Sequence, residues 1–588
     1  MHQCLRIAEV VSLICANVDG HALDSRFSRP TRIRHRQASA LNTLSSLART
    51  CRALQEPALD ALWHEISDLF VLIKYLMPAE VLRFDEDTET LFLVRPASDA
   101  EWERLDPYVR RIRAVGIATP CDSGIATRVL DPESVLRPLL MHLSKRATES
   151  DVLFPDLVHV VYHPFWTHEL YSHLLLNPRL RELQVPFVSF TELSEWGYGP
   201  DTSEHYDPAT FAHTERLAVH ILPAVQKMHS LQTVWMKAML WTSETLTHLG
   251  SLPTLTTFAL ESGWDIGYPP RSQLERKAFS ALTQLFVANT EGGAAMFLAH
   301  IDPVSLEALT IMWEDLYTDA DSSGYFLLGC LSEVSYFKQL QHLTVFMDES
   351  MMEESTEQGI AWNDPSLPPR GWFDTLKGLA RCHEYLQPLL SMRSLRTLEI
   401  GIDIVIQLDD VFLPELARSL PHLEQLSLVP RPRRNFWFHE PSSMLPHSSD
   451  NHGRVQPKCL PTLDGIVSLL GHCERLEQLK LAVATTFSDG NEPHPTPSPS
   501  RVRVMELWAT PLDENIPDDI FVDLFVDTFP ALEDLRIRLP MHSVSNNMAF
   551  AETTRGPLAC QRWDVVVGRI SDRLHGLRVH PTEYRCDA

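Results

Sequence analysis

The chain has 588 residues, 44% hydrophobic and 22% charged, with a formal net charge of −26 at pH 7. One compact core stops growing near ~250–300 residues, so this length calls for several domains or an elongated repeat array. The acidic balance excludes a general attraction to nucleic acid or anionic lipid. Ten cysteines without a C-x-x-C pair exclude the common zinc-finger spacings and a disulfide framework, which points to a reducing compartment.

The first element is "IAEVVSLICANVD". Ile7, Val10, Val11, Ile14 and Val18 fall at i, i+3, i+4, i+7 and i+11, one helical stripe with Glu9 in the first turn, where the helix dipole favours an acid. Glu9 also interrupts what would otherwise pass for a signal-peptide core. A second helix carries Leu44, Leu47, Ala48 and Cys51. Pro57 then forces a break and suits the first turn of a third helix bearing Leu59, Leu62, Trp63 and Ile66. Three such short helices form a very small core and lean on a neighbour or a partner. Residues 91–117 predict an entry helix followed by a first strand.

From about residue 150 one pattern returns: leucine, two variable residues, an aliphatic, one variable residue, another aliphatic. It appears in "LRELQV" from Leu180, "LQTVWM" from Leu231, "LTTFAL" from Leu255, "LTQLFV" from Leu282 and "LEALTI" from Leu306. It continues in "LQHLTV" from Leu340, "LRTLEI" from Leu395, "LEQLSL" from Leu423, "LEQLKL" from Leu476 and "LEDLRI" from Leu532. Weaker copies start at Leu157 and Val504. Most starts lie 23–28 residues apart, and three gaps of 51–55 hold either degenerate copies or long insertions. This is a leucine-rich-repeat signature, in which each unit gives a strand and a returning helix or turn. A single unit cannot bury its leucines, so units stack into a solenoid with a parallel strand row.

Strand side chains alternate, so the fourth and sixth residues of each hexamer face the core and the third and fifth face solvent. The fifth position gives Trp235, Phe286, Lys480, Trp508 and Arg536 as candidate contacts for a bound protein; the alternative is that a neighbouring loop covers them. Two insertions stand out. Residues 348–364 carry six acids and read as a solvated loop. "RPRRNFWFHEP" at 431–441 sets Arg433 and Arg434 beside Trp437, a combination suited to stacking on bases or gripping an acidic peptide, and the net charge favours a protein partner. It also reads as a plain surface loop. "GNEPHPTPSPSR" at 490–501 is a Pro/Ser tether between repeats, and residues 541–588, which lack the pattern, close the array.

Nothing announces catalysis. "HELYSH" at 168–173 has three residues between Glu169 and His173 where a zinc-protease helix needs two. P-loop, G-x-S-x-G and G-x-G-x-x-G motifs are absent. The expectation is a non-catalytic chain without cofactor or metal. No apolar run reaches 18 residues, so no membrane span is expected.

The N-terminal helices resemble an F-box: residues 7–19 its first helix, and 44–63 its second and third, with "TCR" at 50–52 and "DALW" at 60–63. The resemblance is closest to a fungal group of F-box proteins with leucine-rich repeats, and residues 91–117 resemble the same group. Ala8 stands where that motif usually has proline, and residues 20–40 form a long insertion containing "RFSRPTRIRHR". The resemblance implies binding to the Skp-family adaptor of a cullin–RING ubiquitin ligase, with Ile7, Ala8, Ile14, Cys15, Leu47 and Cys51 at or near that surface. The alternative is that these residues pack the three helices together. The expected fold class is α/β: a small all-helical F-box-like element at 1–80, a linker and cap at 81–150, a repeat solenoid at 151–540 and a C-terminal cap at 541–588. Insertions are expected near 347–370, 430–460 and 488–500. The expected function is a substrate-recognition subunit holding an adaptor and an unknown protein target, in the cytoplasm and/or nucleus, with no nucleic-acid or membrane partner. The rival is a repeat scaffold that no longer binds the adaptor.

Overall fold

The computed structural model describes residues 8–18, 38–66, 69–85, 90–116, 128–129, 137–139, 141–142, 154–162, 174–185, 219, 221–237, 243–261, 278–289, 297–299, 301, 305–313, 320–347, 385–401, 408, 410–429, 461–485, 499–509, 512, 516–538 and 555–580. The chain divides into two compact units, Met1–Pro269 and Pro270–Ala588.

The first unit opens with helices α1 (Ala8–Val18), α2 (Ala38–Thr50) and α3 (Arg52–Trp63). Val11 and Cys15 lie one turn apart on α1 and meet Leu44 and Ala58 in a small buried core, with Leu47, Ala48, Leu54, Ala61 and Leu62 packed around it. The break between the second and third helices falls at Cys51, not at Pro57. Cys51 is extended (φ −160°, ψ 159°), and its carbonyl accepts the N–H groups of Leu54 and Gln55 at 3.1 Å. That satisfies two donors at the start of α3, and Pro57 then sits inside the helix. The third helix is also shorter than expected, because Ile66 belongs to a strand.

That strand, β1 (Glu65–Ile66), heads a parallel row. The first unit also contains β2 (Leu82–Asp85), β3 (Thr90–Leu93), β4 (Ala114–Val115), β5 (Arg128–Val129), β6 (His159–Val161), β7 (Glu182–Val185), β8 (Thr233–Lys237) and β9 (Thr257–Glu261). The row runs β1-β4-β6-β7-β8-β9, and β2, β3 and β5 form a separate small sheet. The segment expected as one entry helix forms the short helices Asp99–Trp102 and Asp106–Val109, and the strand after them, β4, is the second of the row, because α3 feeds β1 directly.

Among its described residues the second unit carries nine parallel strands: β10 (Gln284–Asn289), β11 (Ala308–Trp313), β12 (His342–Met347), β13 (Thr397–Gly401), β14 (Gln425–Leu428), β15 (Gln478–Val483), β16 (Val504–Ala509), β17 (Asp534–Arg538) and β18 (Arg578–Val579). They pair in chain order. Strands β7 and β8, β12 and β13, and β14 and β15 pair directly. In the three long gaps of the repeat spacing, therefore, no further strand of the row stands between the paired ones, and the extra residues are insertions with respect to the row.

The hexamer pattern explains the core. Leu340, Leu343 and Val345 are fully buried, as are the equivalent Leu395, Leu398 and Ile400, so three columns of aliphatic side chains run through successive repeats. Most strands are entered through a tight turn in which the first leucine N–H reaches the carbonyl three residues earlier. Examples are Leu282 to Phe279 at 3.1 Å, Leu395 to Met392 at 3.1 Å and Leu532 to Phe529 at 3.1 Å. The second residue of each hexamer then offers its carbonyl to two N–H groups of the next repeat. Gln341 O accepts from Arg396 and Thr397 at 2.7 and 2.9 Å, and Arg396 O accepts from Glu424 and Gln425 at 2.7 and 3.0 Å. A hydroxyl just before the leucine repeats the theme: Ser305 Oγ donates to Ser280 O at 2.6 Å, and Ser394 Oγ to Lys338 O at 2.8 Å. Buried backbone groups at the strand entries are thus satisfied from rung to rung, as a stacked array requires. The array has leucine-rich-repeat character.

This register corrects one repeat boundary. Leu479 pairs with Met505, so the counterpart of Leu476 is the buried Val502, and the hexamer reads from Val502 instead of Val504. Its fifth residue is Glu506, and Trp508 falls two places further along β16.

Past residue 460 the helix start is held to the preceding repeat. The chain returns after residue 460 at Thr462, the N-cap of the helix Leu463–His472. Asp410 accepts from Thr462 N at 2.8 Å and from Thr462 Oγ1 at 2.9 Å. A Cβ at Gly465 would lie 2.2 Å from Asp410 Oδ1, so the absent side chain there is what lets the carboxylate sit against the helix start. At the C-terminal end, the helix Arg555–Arg573 buries Trp563, Val566, Val567 and Ile570, with Trp563 set against Phe521 at 6.4 Å between ring centroids. Residues 541–588, expected only as a cap, thus include one more strand of the row, β18. The acidic, Arg/aromatic and Pro/Ser insertions lie largely outside the described residues, as do the Arg-rich stretch at 20–36 and "HELYSH" at 168–173.

Candidate functional site

Two surfaces follow from this architecture: the outer side of the helical head and the solvent-facing side of the sheet. In the head, α3 is committed on two sides. One side packs on α1 and α2; the other holds Glu56 and Asp60, which both pair with Arg111, and Trp63, whose ring meets Tyr108 edge-on at 5.0 Å. The spacing of 56, 60 and 63 places these groups on one helix face, so a single arginine and one aromatic contact fix the head to the segment that leads into β4. On α1 the chain instead presents Leu13 (63% exposed) and Ile14 (42% exposed) outward, between the buried Val11 and Cys15.

The six head residues singled out from the sequence divide accordingly. Ile14 is exposed. Cys15 is buried in the three-helix core, where desolvation pushes its thiol pKa up, so it packs the helices and offers nothing to a partner. Leu47 is half-buried against that same core, and Cys51 is a half-buried free thiol at the helix break. Ala8 is placed only as the first residue of α1, and Ile7 lies outside the described residues.

On the sheet, alternation sets which side chains share the outward face. The row of fifth positions runs Phe286, Thr310, Thr344, Glu399, Ser427, Lys480, Glu506 and Arg536 in the second unit. Phe286 is half-buried. Lys480 and Arg536 are partly exposed, two strands apart, on either side of Glu506. Glu506 is buried and paired with Arg538 at 3.0 Å, and Arg536 Nε reaches Asp534 at 3.3 Å.

In the first unit Trp235 follows the alternative, a covered side chain, and is not an open contact. It lies on the outward face, opposite Gln184 and Ala259, yet it is only 4% exposed, and both neighbours are buried too. Alternation fixes the side of the sheet a residue occupies, not whether chain from elsewhere covers it. Trp508 is placed only as backbone, opposite Ala482 and Arg538. Arg433, Arg434 and Trp437 lie outside the described residues.

The ionisable groups inside the array are structural. Burial pushes the Cys473 thiol up to about 12, and its Sγ lies 3.7 Å from the carbonyls of Ala417 and Leu420, so it bridges repeats as a protonated donor. His159 Nδ1 sits 2.8 Å from Glu182 and holds that carboxyl below the usual range across two adjacent strands. Among the described residues, no three of His, Cys, Asp and Glu converge in a group that could hold a metal ion. No helix among them is long and apolar enough to cross a membrane.

No family model and no curated protein matches this chain. Among solved structures, the leucine-rich repeat-containing protein LegL7 of Legionella pneumophila aligns with a TM-score of 0.28 and 11% identity, over 76% of this chain and 97% of its own. A complex of TLR13 with ssRNA13 aligns with a TM-score of 0.22 and 13% identity, over 73% of this chain and 62% of its own. At such scores neither likeness bears on what this chain binds.

Proposed function

We propose that this chain is the substrate-recognition subunit of a cullin–RING ubiquitin ligase. Its helical head takes a Skp-family adaptor, and its repeat array holds a protein target. The observation that carries the reading is the adjacent exposed pair Leu13 and Ile14 on α1, in a head whose third helix is already occupied by Arg111 and Tyr108. An exposed aliphatic pair beside a packed core is the kind of spot a helical partner covers. Catalysis then belongs to other subunits, and this chain raises the effective concentration of target lysines near the charged enzyme.

The test is Ile14→Asp. Co-purification with a Skp-family adaptor is expected to fall by at least roughly tenfold, because the substitution places a charge where an apolar contact forms. The circular-dichroism melting profile should stay that of the parent chain, since Ile14 is outside the head's core. Retention of the adaptor at parental levels contradicts the reading. Failure of the parent chain itself to retain any Skp-family adaptor favours the rival, a repeat scaffold whose helical head serves only as a cap; the burial of Cys15 and the packing of Leu47 are the observations on its side.

A further inference from the structure

We propose that the outward face of β15–β17 docks an acidic peptide segment of the target protein, with Lys480 and Arg536 gripping two carboxylates. The inference rests on the target-receptor reading and names the chemistry of what that face takes. Lys480, Glu506 and Arg536 stand in one register row on three adjacent strands. The acid between the two cations is buried and already neutralised by Arg538. Arg536 uses Nε on Asp534, and its two Nη groups have no ion-pair or hydrogen-bond partner among the described residues. The Lys480 ammonium has none there either. Two donor-bearing cations are thus held in fixed relation by the sheet, in a chain whose net charge is −26.

Neighbouring strands lie about 4.8 Å apart, so the two cations are roughly 10 Å from each other along the row. A peptide in the polyproline II conformation advances about 3.1 Å per residue with three residues per turn. Carboxylates three residues apart therefore share one face of the peptide and lie roughly 9 Å from each other, which matches the row when the peptide crosses the strands. Ser427, next in the row beyond Lys480, adds a hydroxyl on the same face. A nucleic-acid strand fits less well. Its continuous phosphate charge would run on to Glu399 in the same row, and the chain's net charge repels a polyanion at longer range. A short peptide asks only for the two cations that the row supplies.

The experiment selects a displayed library of random twelve-residue peptides against the full chain, then measures synthetic copies of the enriched sequences by fluorescence anisotropy. A dT oligonucleotide of similar length is titrated alongside. Enriched peptides are expected to carry two acids three residues apart. Replacing those acids by amides should abolish binding, and the double variant Lys480→Ala with Arg536→Ala should weaken it by roughly tenfold or more, with a steep salt dependence. The double variant should melt as the parent does and keep the adaptor. No enrichment, enrichment without acids, unchanged affinity in the double variant, or binding of the oligonucleotide instead of the peptides overturns the proposal. The two readings separate cleanly: loss of peptide binding is read at Lys480 and Arg536, and loss of adaptor at Ile14.

Discussion

Leu398→Asp is expected to unfold the array of the second unit at room temperature. Leu398 is the fourth residue of its hexamer, fully buried in β13 and flanked in register by Leu343 and Leu426, which are buried as well. A carboxylate there has no cation and no donor within the aliphatic columns. An unpaired buried charge costs several kcal/mol even after the structure relaxes. Folded domains hold only about 5–15 kcal/mol in total, so the loss takes most of it. Because each repeat contacts only its neighbours, a broken rung also removes the platform on which the next one is built. Urea titration followed by circular dichroism should show the parent's cooperative transition missing or shifted to far lower denaturant. Ser427→Asp, on the outward face one strand away, is the control and should move the midpoint little. A parental midpoint for Leu398→Asp would mean that the aliphatic columns are not the core.

The second large effect is at the C-terminal end. Trp563→Ala should lower stability by about 3–5 kcal/mol, the cost of removing a buried indole and leaving a cavity. Trp563 is fully buried on the helix Arg555–Arg573, among Val566, Val567 and Ile570 and against Phe521 of the helix Asp518–Thr528. The same two helices are joined by three ion pairs, Arg562–Asp518, Arg569–Asp519 and Arg573–Asp523. The last two pairs are exposed and contribute about 0–1 kcal/mol each, and the half-buried Arg562 pair fills none of the cavity, so they cannot substitute for the ring. The prediction is checked by the shift in urea midpoint, and protease sensitivity should rise first within residues 516–580. A shift below about 1 kcal/mol would show that this helix is a loose appendage and not the closing layer of the core.

These two sites also mark what was legible in the sequence. Leu398 sits in "LRTLEI", where three aliphatics at fixed spacing have one way to satisfy a stacked strand, and the structure follows. "VRVMELWA" is different. Val502, Met505 and Leu507 fit the pattern, but so do Val504, Leu507 and Ala509, and only the pairing of Leu479 with Met505 decides between them. Trp563 lies in a stretch without the leucine pattern, because a closing helix buries a stripe and forms only a short strand. Ile66 read as a continuation of a helical stripe. Its partner, Val115, lies in a strand 49 residues further on, a distance that no local periodicity reveals. The outward face was legible in direction and not in exposure, as the buried Trp235 demonstrates. In the head, the stripe identified the helices, yet it did not separate Ile14, which faces out, from Cys15, which faces in.

Hydrogen exchange of the full chain, with and without a Skp-family adaptor, tests the central claim most directly: stacked leucine repeats with a helical head that offers α1 to a partner. Peptides covering β11 to β17 should exchange slowly in both states, and peptides covering residues 8–18 should slow only when the adaptor is present. Rapid exchange across the strand peptides, or an adaptor that leaves residues 8–18 unchanged, would contradict it.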